Sequence, residues 1–165
     1  MSHLKELMLL RHGKSDWNTD STDFYRSLNK RGQRNAHQIG EWLAAQNLVP
    51  DLIISSPATR AHTTAKIVCD AMGLSINAIK TKQSIYEANT SDLLQVLADI
   101  PNSVHRLLLV GHNPGFEYLV RNLAPNIAPA ANGNLMPTAT VAFFQLDSQW
   151  TTLTGESWIQ RPKDL

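Results

Sequence analysis

Two short apolar runs decide how this chain can fold. Leu7-Met8-Leu9-Leu10 runs into Arg11-His12, and far downstream Leu107-Leu108-Leu109-Val110 runs into Gly111-His112-Asn113-Pro114-Gly115. Continuously apolar runs this short, closed by Gly and polar residues, are the pattern of strands buried on both faces in a parallel sheet. In open α/β sheets, chemistry gathers beyond the carboxyl ends of such strands. An arginine and two histidines delivered to that edge make a candidate site for an anionic group.

Between and around these runs the pattern alternates strand with helix. Leu4 to Leu10 is a predicted strand, and residues 13–29, polar and mixed, a predicted loop. Ala36, Ile39 and Leu43 repeat at helical spacing within Lys30 to Gln46, closed by Pro50. Leu52-Ile53-Ile54 is a second buried strand. Ser55-Ser56-Pro57 then offers a capping serine and a proline at the first helical position. The helix so started carries Ala61, Ala65, Val68 and Met72 on one face and stops at Gly73. Ile76 to Thr81 predicts a weaker strand, and Asn89-Thr90-Ser91 caps a helix with Leu93, Leu94, Leu97 and Ile100 facing in. Phe116 to Leu123 predicts a short helix and residues 124–137 a loop. Thr138 to Leu146 and Thr151 to Ile159 predict two closing strands, paired across Asp147-Ser148-Gln149. The expected fold is α/β, a three-layer α/β/α sandwich with a mostly parallel sheet. One domain over 1–165 is expected, since no repeat or linker divides the chain.

Composition narrows the function classes. Fifteen basic and 14 acidic residues leave a net charge of +1, against any general binding of nucleic acid or membrane surfaces. Anion binding must come from a few placed groups. Cys69 is the sole cysteine, on a helical pattern, and fits a buried core thiol. No apolar stretch approaches a transmembrane length and the amino-terminal residues do not make a signal peptide, so a cytoplasmic protein is expected. His3, His37, His62 and His105 take ordinary structural assignments. No histidine pair has metal-ligand spacing and no Walker loop is present, so neither metal nor cofactor is expected.

Arg11-His12-Gly13 after the first strand resembles the signature of the histidine phosphatase superfamily, which includes the cofactor-dependent phosphoglycerate mutases. Ser55-Ser56-Pro57-Ala58-Thr59-Arg60-Ala61-His62-Thr63-Thr64-Ala65 is similar to its second block, and Gly111-His112-Asn113 to its third. Gly111-His112-Asn113-Pro114-Gly115, Met136-Pro137-Thr138 and the short length resemble the SixA-type phosphohistidine phosphatases. Gly13 and Asn18 lean toward the mutase side. Arg26-Ser27-Leu28-Asn29-Lys30-Arg31-Gly32 matches an R-P-L-x-x-x-G block with serine for proline.

The residues point the same way through their chemistry. A neutral His12 imidazole can attack phosphorus in line and carry the phosphoryl group, which splits one displacement into two. Its other ring nitrogen should then donate to a fixed acceptor, such as a backbone carbonyl in the turn after the strand. Arg11 and Arg60 offer planar forks matched to phosphate oxygens, and His112 a further donor, preferably protonated. Asn18 also matches the mutase-like pattern and Ser15 could donate a further hydrogen bond to phosphate, though both equally suit turns. The resemblance implies that Glu87 donates a proton to the leaving group, though it also suits an exposed loop. The expected activity is a metal-independent phosphatase acting on a phosphohistidine-carrying protein, such as a phosphotransfer domain, with the enzyme a monomer. A small-molecule phosphomonoesterase and a non-catalytic phosphoprotein-binding module are the alternatives.

Overall fold

Leu7, Met8, Leu9 and Leu10 are all fully buried, as a central strand with a core on each face requires. The computed structural model describes residues 4–129 and 133–165. Its elements are β1 (Lys5–Arg11), α1 (Lys30–Ala45), β2 (Leu52–Ser55), α2 (Thr59–Ala71), β3 (Ile79–Thr81) and α3 (Thr90–Ala98). β4 (Arg106–Gly111), α4 (Gly115–Leu123), β5 (Val141–Leu146) and β6 (Leu153–Gln160) follow. The sheet order is β3-β2-β4-β1-β5-β6. The first four of these strands run parallel, and β5 and β6 close the sheet antiparallel. This is the three-layer α/β sandwich expected.

Strand alternation sorts the core into two halves. Leu7, Leu9, Leu107 and Leu109 pack with Leu93, Val96 and Leu97 of α3 and with Phe116, Leu119 and Val120 of α4. Met8, Leu10, Leu108 and Val110 pack with Ala36, Ile39 and Leu43 of α1 and with Ala61, Ala65, Val68 and Cys69 of α2. The helices following neighbouring β1 and β4 therefore leave to opposite faces, which opens a crevice between the two strand ends. Their parallel register sets Arg11 beside Gly111. The ladder continues one step through His12 N–H to the Gly111 carbonyl at 3.0 Å. Sheet register alone thus delivers His12 and His112 side by side.

Several boundaries differ from the sequence pattern. α2 begins at Thr59 with Ala58 as its uncapped N-terminal residue, so Pro57 precedes the helix instead of opening it. Ser56 caps no helix. Its Oγ accepts from Ala58 N–H at 3.2 Å and faces His112. Only Ile79–Thr81 of the 76–81 segment is strand, because Ser75 Oγ accepts from Asn77 N–H and stabilises a 3-10 turn over Ile76–Ala78. Residues 13–29 hold a 3-10 turn at Asp23–Tyr25 and a bridge between Ser15 and Leu28. β5 starts at Val141, after Ala139 takes a left-handed φ of 57°. Asn89 does cap α3, in a reciprocal box with Asp92. Cys69 is buried, and its Sγ meets the Ser75 carbonyl at 3.1 Å. His37 lies 3.3 Å from Glu41, His105 is exposed and His62 half-buried. His3 falls outside the described residues. Among those residues, no helix is long and apolar enough to cross a membrane.

Candidate active site

His12 is held as a nucleophile must be. Its Nδ1 donates to the Gly13 carbonyl at 2.7 Å, which puts the proton there and leaves Nε2 with its lone pair. His12 is 7% exposed. Burial is the main reason its pKa falls to about 3; the Gly13 bond opposes the shift, and His112, Arg11 and Arg60 reinforce it. The loop can bend this tightly because two glycines meet backbone to backbone. A Cβ on Gly13 would lie 2.7 Å from the Gly32 carbonyl, and one on Gly32 would strike Lys14. That close approach accounts for Gly32 at the end of the Arg26-Ser27-Leu28 block.

His112 lies across from His12, ring centroids 5.2 Å apart. Sequence chemistry prefers a protonated His112, and its surroundings in the site oppose that charge. Burial first, then Arg60, push its pKa down to about 4; Asp23 opposes them, and Arg11 and Arg26 add smaller downward effects. Its Nε2 lies 2.8 Å from Ser56 Oγ. That oxygen already accepts from Ala58, so both groups are satisfied when the hydroxyl proton points to Nε2. A neutral His112 then carries its proton on Nδ1, which is buried without a partner.

The two depressed imidazoles give a stability prediction. Between roughly pH 6.5 and the folded values of about 3 and 4, the unfolded chain binds protons that the folded chain refuses. Stability should therefore fall as pH drops below about 6.5 and level off above it. Melting temperatures of wild type and His112→Gln at pH 7.5 and pH 5 check this. The variant should lose less on acidification, and equal losses would contradict the assignment.

Three arginines close the site. Arg11 Nη1 donates to the Met136 carbonyl at 3.0 Å, and that same carbonyl takes Asn113 Nδ2 at 2.8 Å. Arg60, on the first turn of α2, donates from Nη1 to the Asp23 carbonyl at 2.6 Å and from Nη2 to Asp23 Oδ2 at 3.1 Å. Arg26 Nη2 reaches Asp23 Oδ1 at 2.9 Å and its guanidinium stacks 3.6 Å over Trp17. Tyr86 O–H donates to Asp23 Oδ2 at 2.5 Å and is the leading cause of an Asp23 pKa lowered to about 2. Asp23 is thus a fixed carboxylate that orients two arginines and a tyrosine. Arg11 Nε, Arg26 Nε and Arg60 Nε, like His112 Nδ1, are buried with no hydrogen-bond partner. Unmatched donors on three cations are costly in a folded protein.

Of the residues singled out from sequence, Arg11, His12, Arg60 and His112 come together. Glu87 is exposed, in a left-handed conformation with φ 55°, on the rim of a pocket that Arg60, Tyr86 and His112 also line. Ser15 and Asn18 stand on the loop that follows β1. They line a neighbouring cavity with Lys14, Trp17 and Gln33, and Asn18 N–H donates to Asp16 Oδ1 at 2.9 Å as a turn residue does. Arg26, Asp23, Tyr86 and Ser56 are the members that pattern alone did not assign to the site. Among the described residues, no group of three or more His, Cys, Asp or Glu side chains could hold a metal ion.

Residues 7–120 match the family described as histidine phosphatase superfamily (branch 1). The chain belongs to that superfamily. This histidine phosphatase superfamily member is 31% identical over 122 residues to an uncharacterized chloroplastic protein of Arabidopsis thaliana, covering 68% of this chain and 56% of the plant protein. It is 40% identical over 76 residues to the 2,3-bisphosphoglycerate-dependent phosphoglycerate mutase of Mycobacterium tuberculosis, covering 43% of this chain and 30% of the mutase. The match thus spans about half or less of these relatives. Among solved structures, SixA from Agrobacterium tumefaciens superimposes with a TM-score of 0.74 at 29% identity, over 86% of this chain and 92% of that one. The protein histidine phosphatase SixA complexed with tungstate shares the fold, with a TM-score of 0.82 at 23% identity over 96% and 98% of the two chains.

Proposed function

We propose that this protein is a phosphohistidine phosphatase that acts on phosphorylated protein through a covalent phospho-His12 intermediate and uses no metal. One observation carries it: Arg11, Arg60 and His112 stand close enough to His12 to depress its charge, each with a buried side-chain nitrogen that has no partner, and the His12 Nδ1 bond to Gly13 leaves Nε2 free to attack. A transferring phosphoryl group spreads charge over its equatorial oxygens, so donors fixed around it supply most of the catalysis. In the first step, His12 Nε2 bonds to phosphorus as the substrate's N–P bond breaks. The substrate imidazole keeps the bonding pair and, already protonated on its other nitrogen, leaves as a neutral ring. In the second step, water bonds to phosphorus as the His12 N–P bond breaks, releasing inorganic phosphate. That SixA was solved with tungstate, an oxyanion, fits this use of the donors.

Two features favour a protein substrate. The segment between Arg60 and His112 is spent on α2, β3, α3, β4 and short turns, which leaves little chain for an inserted subdomain. Exposed aromatic side chains also surround its mouth. Tyr118 lines the pocket, and Tyr25 packs on Phe24, which packs on Tyr86. Glu87 on the rim supports the second reading, a small-molecule phosphomonoesterase, because an alkoxide leaving group needs a proton as its bond breaks.

The test is kcat/KM for wild type and Glu87→Gln on a phosphohistidine-carrying phosphotransfer domain, an aryl phosphate and an alkyl phosphate, each with and without EDTA. Glu87→Gln should slow the alkyl ester at least about tenfold more than the phosphohistidine protein, with the aryl ester between. EDTA should change nothing. Equal losses on all three would remove Glu87 from the acid role. A wild-type preference for a small ester over every phosphohistidine protein would sink the protein-level assignment.

A further inference from the structure

Thr64 is fully buried on α2, and its hydroxyl touches both halves of the site. Oγ1 donates to the Arg60 carbonyl at 2.7 Å and accepts from Gly13 N–H at 3.0 Å. A helical threonine bonding the carbonyl four residues back is commonplace and means little alone. Here the second bond comes from the loop that holds His12. Gly13 is gripped at each of its backbone groups: its N–H by Thr64, its Cα against the Gly32 backbone, and its carbonyl by His12 Nδ1. A continuous chain therefore runs from the Arg60 carbonyl through Thr64 and Gly13 to the His12 ring.

We infer that Thr64 is a positioning residue that sets the tautomer of His12 and holds that ring in register with Arg60. The inference rests on His12 being the nucleophile. The reasoning is about which ring nitrogen keeps its proton. An imidazole protonated on Nε2 cannot attack through Nε2, and the Gly13 carbonyl is what keeps the proton on Nδ1. If the Thr64 hydroxyl is removed, the buried Gly13 N–H loses its acceptor. A buried amide without a partner is costly enough for Gly13 to shift in search of another, and its Cα carries the following peptide, with the Gly13 carbonyl, along with it. The carbonyl then leaves Nδ1, and the competent tautomer loses its preference. The arginine forks that would bind phosphate do not depend on this hydroxyl, so the effect belongs to turnover and not to binding.

Thr64→Val keeps the shape and removes both bonds; Thr64→Ser keeps the hydroxyl. On an aryl phosphate, Thr64→Val should lower kcat about tenfold or more while KM stays within about twofold. Thr64→Ser should retain wild-type kcat. Nitrogen NMR of 15N-histidine-labelled protein should show His12 protonated on Nδ1 in wild type and Thr64→Ser, and a population protonated on Nε2 in Thr64→Val. Should Thr64→Val fail to fold, Thr64→Ala takes its place against Thr64→Ser. Wild-type kcat in the hydroxyl-free variant would overturn the inference. So would lost activity with an unchanged His12 tautomer, or a Thr64→Ser protein as slow as the valine. Failure of the parent assignment looks different: no phosphoryl group would be trapped on His12 in wild type, whatever the tautomer spectra show.

Discussion

His12→Ala is expected to be folded and without turnover. In the proposed mechanism the reactive nitrogen is Nε2, and the neighbouring His112 ring cannot replace it, because its own Nε2 is engaged by Ser56. The fold should survive because His12 contributes one side-chain hydrogen bond, to Gly13, while its backbone stays in the ladder through Gly111 and Ala139. One such bond is worth about 1 kcal/mol, small beside the stability of a domain with two filled cores. In wild type, rapid quenching during turnover should trap a phosphoryl group on His12. An N–P bond is labile to acid and survives base, the reverse of a phosphoserine, so the quench must be alkaline. Mass spectrometry of the peptide containing Arg11-His12-Gly13 then locates it. A His12→Ala protein that still turns over removes the covalent mechanism altogether.

How much of this was legible in the sequence follows from what each feature depends on. The strands beneath His12 and His112 were readable because a strand buried on both faces leaves an unbroken apolar run, and both runs are fully buried. Arg60 was readable because it follows such a strand within a block of familiar residues. The His12 tautomer was predictable in kind, since attack through one nitrogen requires the other to hold the proton. Arg26 and Asp23 were not assigned, because their roles arise from a loop that folds back over the site through Gly13 and Gly32. The Arg26-Ser27-Leu28 block marked the loop, and Gly32 at its end was the available signal. Ser56 looked like a helix cap because Ser-Pro usually is one. Its hydroxyl instead serves a histidine that arrives from another strand, a contact fixed only by sheet order. The charge of His112 could not be read either, since burial, three arginines and the opposing Asp23 carboxylate set it together. Ser15 and Asn18 line a neighbouring cavity, a placement that depends on how the loop folds and that no local pattern announced.

Arg60→Ala should lower kcat/KM on any phosphorylated substrate by on the order of a hundredfold, the consequence of losing about 3 kcal/mol of transition-state stabilisation. Arg60 is 6% exposed and supplies one of the partnerless donors, so its charge acts at close range in a site poor in water. The loss has two parts. The fork is gone, and the Asp23 carboxylate it held is released beside the pocket with only Arg26 and Tyr86 left to it. A free carboxylate there opposes a phosphoryl dianion. Adding Asp23→Asn to Arg60→Ala should therefore recover part of the rate, whereas Asp23→Asn alone should slow the enzyme by loosening Arg60 and Arg26. Opposite signs in the two backgrounds are the signature of a carboxylate that acts through its arginines. Arg60→Lys should rescue little, because one ammonium cannot span the Asp23 carbonyl, its carboxylate and a phosphate oxygen together. The measurement is kcat/KM for the four proteins of the cycle plus the lysine variant on one phosphohistidine protein. If Asp23→Asn slows both backgrounds equally, Asp23 and Arg60 act independently, and the network that joins them has no part in the chemistry.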